Sequence, residues 1–115
     1  MGLAQQWWER LVVAFEQQDV EALLDLYAPG SVFLEPHNPP HEGNLLIQAY
    51  LSSWLQAREE IAVSTRRQLE SPDGSTLAVE WTVSYTAGGR RWRELPRSSW
   101  FDVDDDGIQY HRDYY

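Results

Sequence analysis

The sequence predicts an α+β domain, helices first and an antiparallel sheet after them. Three observations predict it. Apolar residues recur at i, i+3, i+4 and i+7 over residues 3–57. The spacing then switches to strict alternation, clearest in Val79, Trp81, Val83 and Tyr85 against Glu80, Thr82 and Ser84. Turn sequences, Pro72-Asp73-Gly74, Gly88-Gly89 and Asp105-Asp106-Gly107, punctuate the second half.

The elements follow in order. A first helix is expected over Leu3 to Gln17, with Trp8, Leu11, Val12 and Phe15 on one face. A second runs from Asp19 to Ala28. Asp19 suits the N-cap, Val20, Leu23, Leu24 and Tyr27 share a face, and Pro29-Gly30 cannot continue the helix. Ser31 to Leu34 reads as a strand closed by Glu35 and held by Pro36. Residues Pro36 to Gly43 carry three prolines and a glycine, and are expected to be irregular. A third helix, Asn44 to Ala57, presents Ile47, Tyr50, Leu51 and Trp54. Strands are then expected around Ile61–Thr65, Val79–Tyr85, Arg91–Val103 and Ile108–Tyr115, with Pro96 marking a bulge, a bend or an edge.

At 115 residues the chain is expected to form one domain, residues 1–115. The net charge of −9 disfavours nucleic acid and anionic membrane as partners, since both need a basic footprint. All nine basic residues are Arg, which excludes Schiff-base lysine chemistry. The absence of cysteine excludes disulfides, thiol nucleophiles and thiolate-bound zinc. No stretch reads as a signal peptide or a membrane span, so a cytoplasmic protein is expected. Six Trp and six Tyr exceed what a small core readily absorbs, and large aromatics often line pockets or interfaces.

Glu35, delivered at a strand end among apolar neighbours, stands where a general base could act, by proton abstraction or water activation. His37 and His41, with Glu35 and Glu42, invite a metal reading. Pro39 and Pro40 forbid the helix that a His-x₃-His site uses, so a polar pocket rim is favoured and no metal is expected. Asp102, Asp104, Asp106 and Gly107, with Asp113 at the twelfth place, approach a calcium-loop pattern. Strands rather than helices flank them, so a solvated hairpin turn is expected.

The segment Asp19–Pro36 (DVEALLDLYAPGSVFLEP), Gly43 before the third helix and the ending DDDGIQYHRDYY together resemble the nuclear transport factor 2-like superfamily. That superfamily includes ketosteroid isomerases, limonene-epoxide hydrolases and SnoaL-like polyketide cyclases. The resemblance covers nearly the whole chain. It implies a cone-shaped curved antiparallel sheet wrapped around three helices, with a central pocket. It transfers the role of the isomerases' Asp-Pro base to Glu35-Pro36. The isomerases' oxyanion-hole Tyr falls at Leu11 and their second carboxyl near Ser99, so steroid isomerisation is not expected. The epoxide hydrolases' Arg-x-Asp pair is incomplete at Arg97-Ser98-Ser99. Their inward Asp on the last strand corresponds to Asp113.

If the face shared by Gln109, His111, Asp113 and Tyr115 lines the cone, Glu35, His111 and Asp113 converge on one cavity, as catalytic residues. Tyr27, Phe33, Trp54, Trp81 and Tyr115 are then candidate ligand-binding residues, with His37 at the rim. Ile108, Tyr110, Arg112 and Tyr114 would face outward, and a homodimer through that outer sheet face is expected. The enzymatic expectation is a cofactor-free isomerase, cyclase or hydrolase acting on a small apolar or aromatic molecule. Its rivals are a non-catalytic binding domain and a subunit that docks another protein.

Overall fold

The computed structural model describes residues 2–115. Three helices, α1 (Leu3–Glu16), α2 (Val20–Leu26) and α3 (Asn44–Gln56), pack against one curved six-stranded sheet. Its strands are β1 (Tyr27–Leu34), β2 (His41–Glu42), β3 (Glu59–Glu70), β4 (Thr76–Ala87), β5 (Arg90–Asp104) and β6 (Gly107–Tyr114), in spatial order β2-β1-β6-β5-β4-β3. The α+β class stands as expected. The pairing differs in one place: β1 runs parallel to β6, so the sheet is mixed rather than antiparallel. A parallel pair needs a long connection, and the whole chain between residues 34 and 107 supplies it.

The helix starts are satisfied differently. Asp19 accepts from the Ala22 amide at 3.1 Å, the expected cap of α2. Helix α1 begins at Gly2, which has no side chain to offer. Glu70 at the end of β3 accepts from the Gly2 and Gln5 amides at 2.9 and 2.8 Å. A carboxylate there pairs orphan donors and complements the helix dipole.

The α2 boundary corrects the expectation. The helix ends at Leu26, and Tyr27 and Ala28 already belong to β1. Tyr27 pairs with Ile108, and the register then jumps to Val32 opposite Tyr110. The residues between form a bulge, with Pro29 and Gly30 exposed. Tertiary pairing with β6 thus wins over the helical spacing that had included Tyr27.

The proline loop is irregular up to Pro40, but His41 and Glu42 add a short strand opposite Phe33 and Val32. In β4 the alternation holds throughout, with Leu77, Val79, Trp81, Val83 and Tyr85 all buried. Strand β5 bulges near Glu94, whose φ is +49° and whose amide donates to Ser84 Oγ at 2.8 Å. Pro96 lies two residues beyond, opposite Thr82 of β4; the pairing with β6 reaches only Ser98, so on that side Pro96 stands at an open edge.

On β6, Arg112 and Tyr114 are exposed and Tyr110 half-buried, but Ile108 is fully buried rather than outward. The register slip opposite Asp102 and Val103 turns the start of β6 under the α2–β1 junction. The acidic segment between β5 and β6 is a hairpin turn, with the Asp106 amide on Asp104 Oδ1 at 2.8 Å. Phe101, Leu23, Ile47, Leu55, Leu77 and Ile108 are the largest fully enclosed apolar side chains, between helices and sheet. Among the described residues no helix is long and apolar enough to cross a membrane.

Candidate functional site

Strand register assembles the site. On β5 and β6, Ser99 stands opposite Asp113 and Phe101 opposite His111, while β1 places Phe33 opposite His111 from the other side. Alternation turns all five toward the helices. The His111 ring is consequently held between Phe33 and Phe101, with centroids at 4.1 and 4.2 Å.

The polar atoms form one chain. His111 Nε2 lies 2.6 Å from Asp113 Oδ1, and Nδ1 lies 2.9 Å from the Tyr27 hydroxyl. Ser99 Oγ donates to the same Oδ1 at 2.6 Å and accepts from Trp81 Nε1 at 2.9 Å. Burial pushes the Tyr27 phenol well above its ordinary pKa, and the nearby Asp113 charge adds to this, so Tyr27 keeps its proton. Nε2–H donates to Asp113, Trp81 donates to Ser99, which donates to Asp113, and the Tyr27 hydroxyl shares one hydrogen bond with Nδ1.

Asp113 is the end point. Burial alone would raise its pKa. The His111 interaction, the Ser99 hydrogen bond and the Arg97 charge outweigh burial and hold the carboxyl below its ordinary value. An unpaired buried carboxylate would cost several kcal/mol, and two short charge-assisted bonds offset that here. Both fall on Oδ1, which leaves Oδ2 outside the pair.

Glu35, also buried, closes the next layer. Its oxygens accept from Tyr50 Oη and Asn38 Nδ2. Burial raises the Tyr50 pKa well above normal, and the Glu35 bond and charge raise it further. At the rim, His37 packs edge-on to Tyr115 at 5.6 Å, and the Arg97 guanidinium lies 3.9 Å over the Tyr115 ring.

Aromatic side chains fill most of the hollow. What remains is a cavity of about 30 Å³ bordered by Trp8, Phe33, Tyr50, Trp54, Trp81, Arg97, His111 and Asp113, among others. That is room for one or two water molecules. Larger grooves lie elsewhere, about 480 Å³ on the outer sheet face and about 570 Å³ between α1 and α2. Neither brings buried titratable groups together, so the candidate site is the small cavity beside Asp113 rather than the larger grooves.

Of the residues expected at the site, Phe33, Trp54, Trp81, His111 and Asp113 border this cavity. Tyr27 lies behind His111 rather than on the wall, and His37 and Tyr115 stand at the rim. Glu35 reaches the cavity through Tyr50. Tyr50, expected only on the apolar face of α3, lies on the cavity wall, and Ser99, Arg97 and Asn38 take part although no motif marks them as site residues. The period-two spacing of Arg97, Ser99 and Phe101 is the signal that could have found two of them. His41 stacks on Tyr50 at 4.4 Å, turned away from any cluster with His37.

Comparison with known proteins bears on the fold. No curated protein matches the chain. A protein of Catenulispora acidiphila with a ketosteroid isomerase-like fold, solved with trimethylamine, superposes with a TM-score of 0.84 at 15% identity, over 98% of this chain and 87% of that one. A proposed polyketide cyclase of Xanthomonas campestris gives 0.85 at 20% identity, over 97% and 89%. An epoxide hydrolase of Mycobacterium tuberculosis, of the limonene-epoxide hydrolase-like type, gives 0.79 at 22% identity, over 96% and 80%. These show the shared fold. The family model described as a SnoaL-like domain matches residues 8–111, and the chain belongs to that family.

Proposed function

We propose that this protein is a cofactor-independent acid–base catalyst, of isomerase, cyclase or hydrolase type, acting on a small apolar or aromatic molecule. One observation carries the reading. A buried carboxylate, Asp113, borders the cavity with Oδ1 anchored by two donors and Oδ2 outside them. Oδ2 takes and returns the proton. His111 is a positioning residue: its bond to Tyr27 and its two stacked neighbours hold Nε2–H on Oδ1. The base role expected for Glu35 passes to Asp113, and Glu35 orients Tyr50 on the cavity wall. Asp113→Asn should abolish turnover and leave affinity for an aromatic ligand within a few-fold; full activity in a folded Asp113→Asn protein would refute the proposal.

The small cavity favours a second reading, a binding domain without turnover. In that case Trp54→Ala weakens binding and Asp113→Asn changes nothing. We also propose a homodimer through the outer sheet face, where Leu69, Trp100 and Tyr114 are exposed beside one groove. Light scattering on Tyr114→Glu should then give a monomer. The cysteine-free composition suits a cytoplasmic setting.

A further inference from the structure

We propose that the outer groove between α1 and α2 docks a basic amphipathic helix of a partner protein. This goes beyond the acid–base reading and does not rest on it. Helix α1 gives the cavity beside Asp113 its Trp8, Leu11 and Phe15, and gives the groove a separate row of residues.

Shape comes first. On α1, Gln6, Glu9, Arg10, Val13 and Gln17 border the groove at i, i+3, i+4, i+7 and i+11, one helix face. That row runs about 17 Å at 1.5 Å rise per residue, the length of three helical turns. Ala22, Asp25 and Leu26 of α2 close the other side, around a space of about 570 Å³. Val13 is 51% exposed there, beside the buried Ala14 and Leu26. The small Ala14 and Ala22 let a third helix approach to packing distance, ~8–10 Å between axes. Both walls are helices whose backbone groups pair internally. A docked segment therefore gains its contacts from side chains, which a helix presents in rows at i, i+3, i+4 and i+7.

Charge chooses the occupant. Residues 3–26 hold five acids and one arginine, so −4 of the net −9 lies on these two helices. Glu16 and Asp19 are used internally, on the Val63 and Ala22 amides. Glu9 and Asp25 border the groove from opposite sides, and among the described residues neither pairs with a base. Arg10, the one base, lies 4.9 Å over the Trp7 ring. The β5–β6 turn adds to the acidic rim. Gly107 packs against the Leu26 carbonyl, which brings the exposed Asp105 and Asp106 to the Leu26 end of the groove.

A second copy would bring the same acids to the same place, and nucleic acid or an anionic membrane is repelled likewise. The complement is a helix with an apolar row for Val13 and the alanines, flanked by Lys or Arg for Glu9 and Asp25. One helix in so short a groove makes a small interface, so the complex is of the weak, exchanging kind.

Mastoparan, a basic amphipathic peptide that is unfolded in buffer, is the probe. Fluorescein-labelled and titrated with the full chain, it should gain anisotropy, and the unlabelled peptide should gain helical far-ultraviolet CD. The titration is run at about 0.15 M ionic strength, where exposed charges beyond ~8 Å are largely screened. Val13→Asp, and Glu9→Lys combined with Asp25→Lys, should each raise Kd ~10-fold or more. All three positions are exposed, and near-ultraviolet CD checks that the variants stay folded. Glu42→Lys combined with Glu59→Lys makes the same change in net charge at exposed positions outside the groove, and should leave Kd within ~2-fold. Equal weakening by the two charge reversals would mean binding by net charge alone, and the groove assignment falls. It falls as well if wild type leaves the anisotropy unchanged up to ~0.5 mM protein. A Val13→Asp protein that turns from dimer to monomer in light scattering would give the groove to a second copy instead. Asp113→Asn should bind the peptide as wild type does, so failure here leaves the acid–base reading standing.

Discussion

The two nitrogens of His111 are both spoken for: Nε2 sits 2.6 Å from Asp113 Oδ1 and Nδ1 sits 2.9 Å from the Tyr27 hydroxyl. The residues they join are 86 positions apart in sequence, on strands that flank or form the same parallel pair. That ring therefore ties the first strand to the last at the base of the candidate site.

Asp113→Ala leaves the Ser99 hydroxyl and the His111 N–H buried without an acceptor. A loss of about 3 kcal/mol in unfolding free energy is expected, read from urea midpoints. Asp113→Asn, which keeps one carbonyl oxygen, should cost less. Equal midpoints for Asp113→Ala and wild type would mean that the chain of bonds contributes nothing.

Acid stability should carry the signature of Asp113. Its folded pKa lies below the ordinary 3.8, so its contribution is full above that value and is lost as pH falls through the folded one. Stability should decline below about pH 4, and less steeply in Asp113→Asn. Asp73, pulled down to about 2 by Ser71 and Ser75, titrates in the same window in both proteins. The slope difference between them isolates Asp113.

Alkaline stability should report Tyr27. Burial holds its phenol protonated in the folded protein, while the unfolded chain ionises near the ordinary 10.0. The unfolded state then binds fewer protons, so stability falls as pH rises above about 10, by about 1.4 kcal/mol per pH unit for this group. Tyr27→Phe should be less stable at pH 8 yet lose less between pH 10 and 11. Parallel curves would rule out Tyr27 as a source of the decline.

Gly107→Ala should be among the costliest single-methyl additions. Its φ is +125°, and a Cβ there would stand 2.6 Å from the Leu26 carbonyl oxygen. Backbone cannot yield as a side-chain tip can, so a loss of about 2–4 kcal/mol is expected from strain and overpacking together. Thermal unfolding checks it. Gly88→Ala, at φ +60° with open space around it, should cost less.

Local chemistry was legible where one element decides its own form. Asp19 as a cap, the i, i+3, i+4 face of α3 and the alternation of β4 depend on neighbours within a few residues, and all three appear as expected. Helix α1 shows where that stops. Its cap, Glu70, lies 68 residues from Gly2, and nothing near Gly2 announces it.

By itself the sequence determined the class of fold, the helix starts and the inward side of His111 and Asp113, because apolar periodicity encodes which face each element buries. Tertiary structure alone decided that Tyr27 leaves its helix for a strand, that β1 and β6 run parallel and that Ser99 and Arg97 flank Asp113. Those outcomes depend on register between distant strands, and a one-residue slip there reverses every side chain. The charge environment of Asp113 followed from that register rather than from any motif around it.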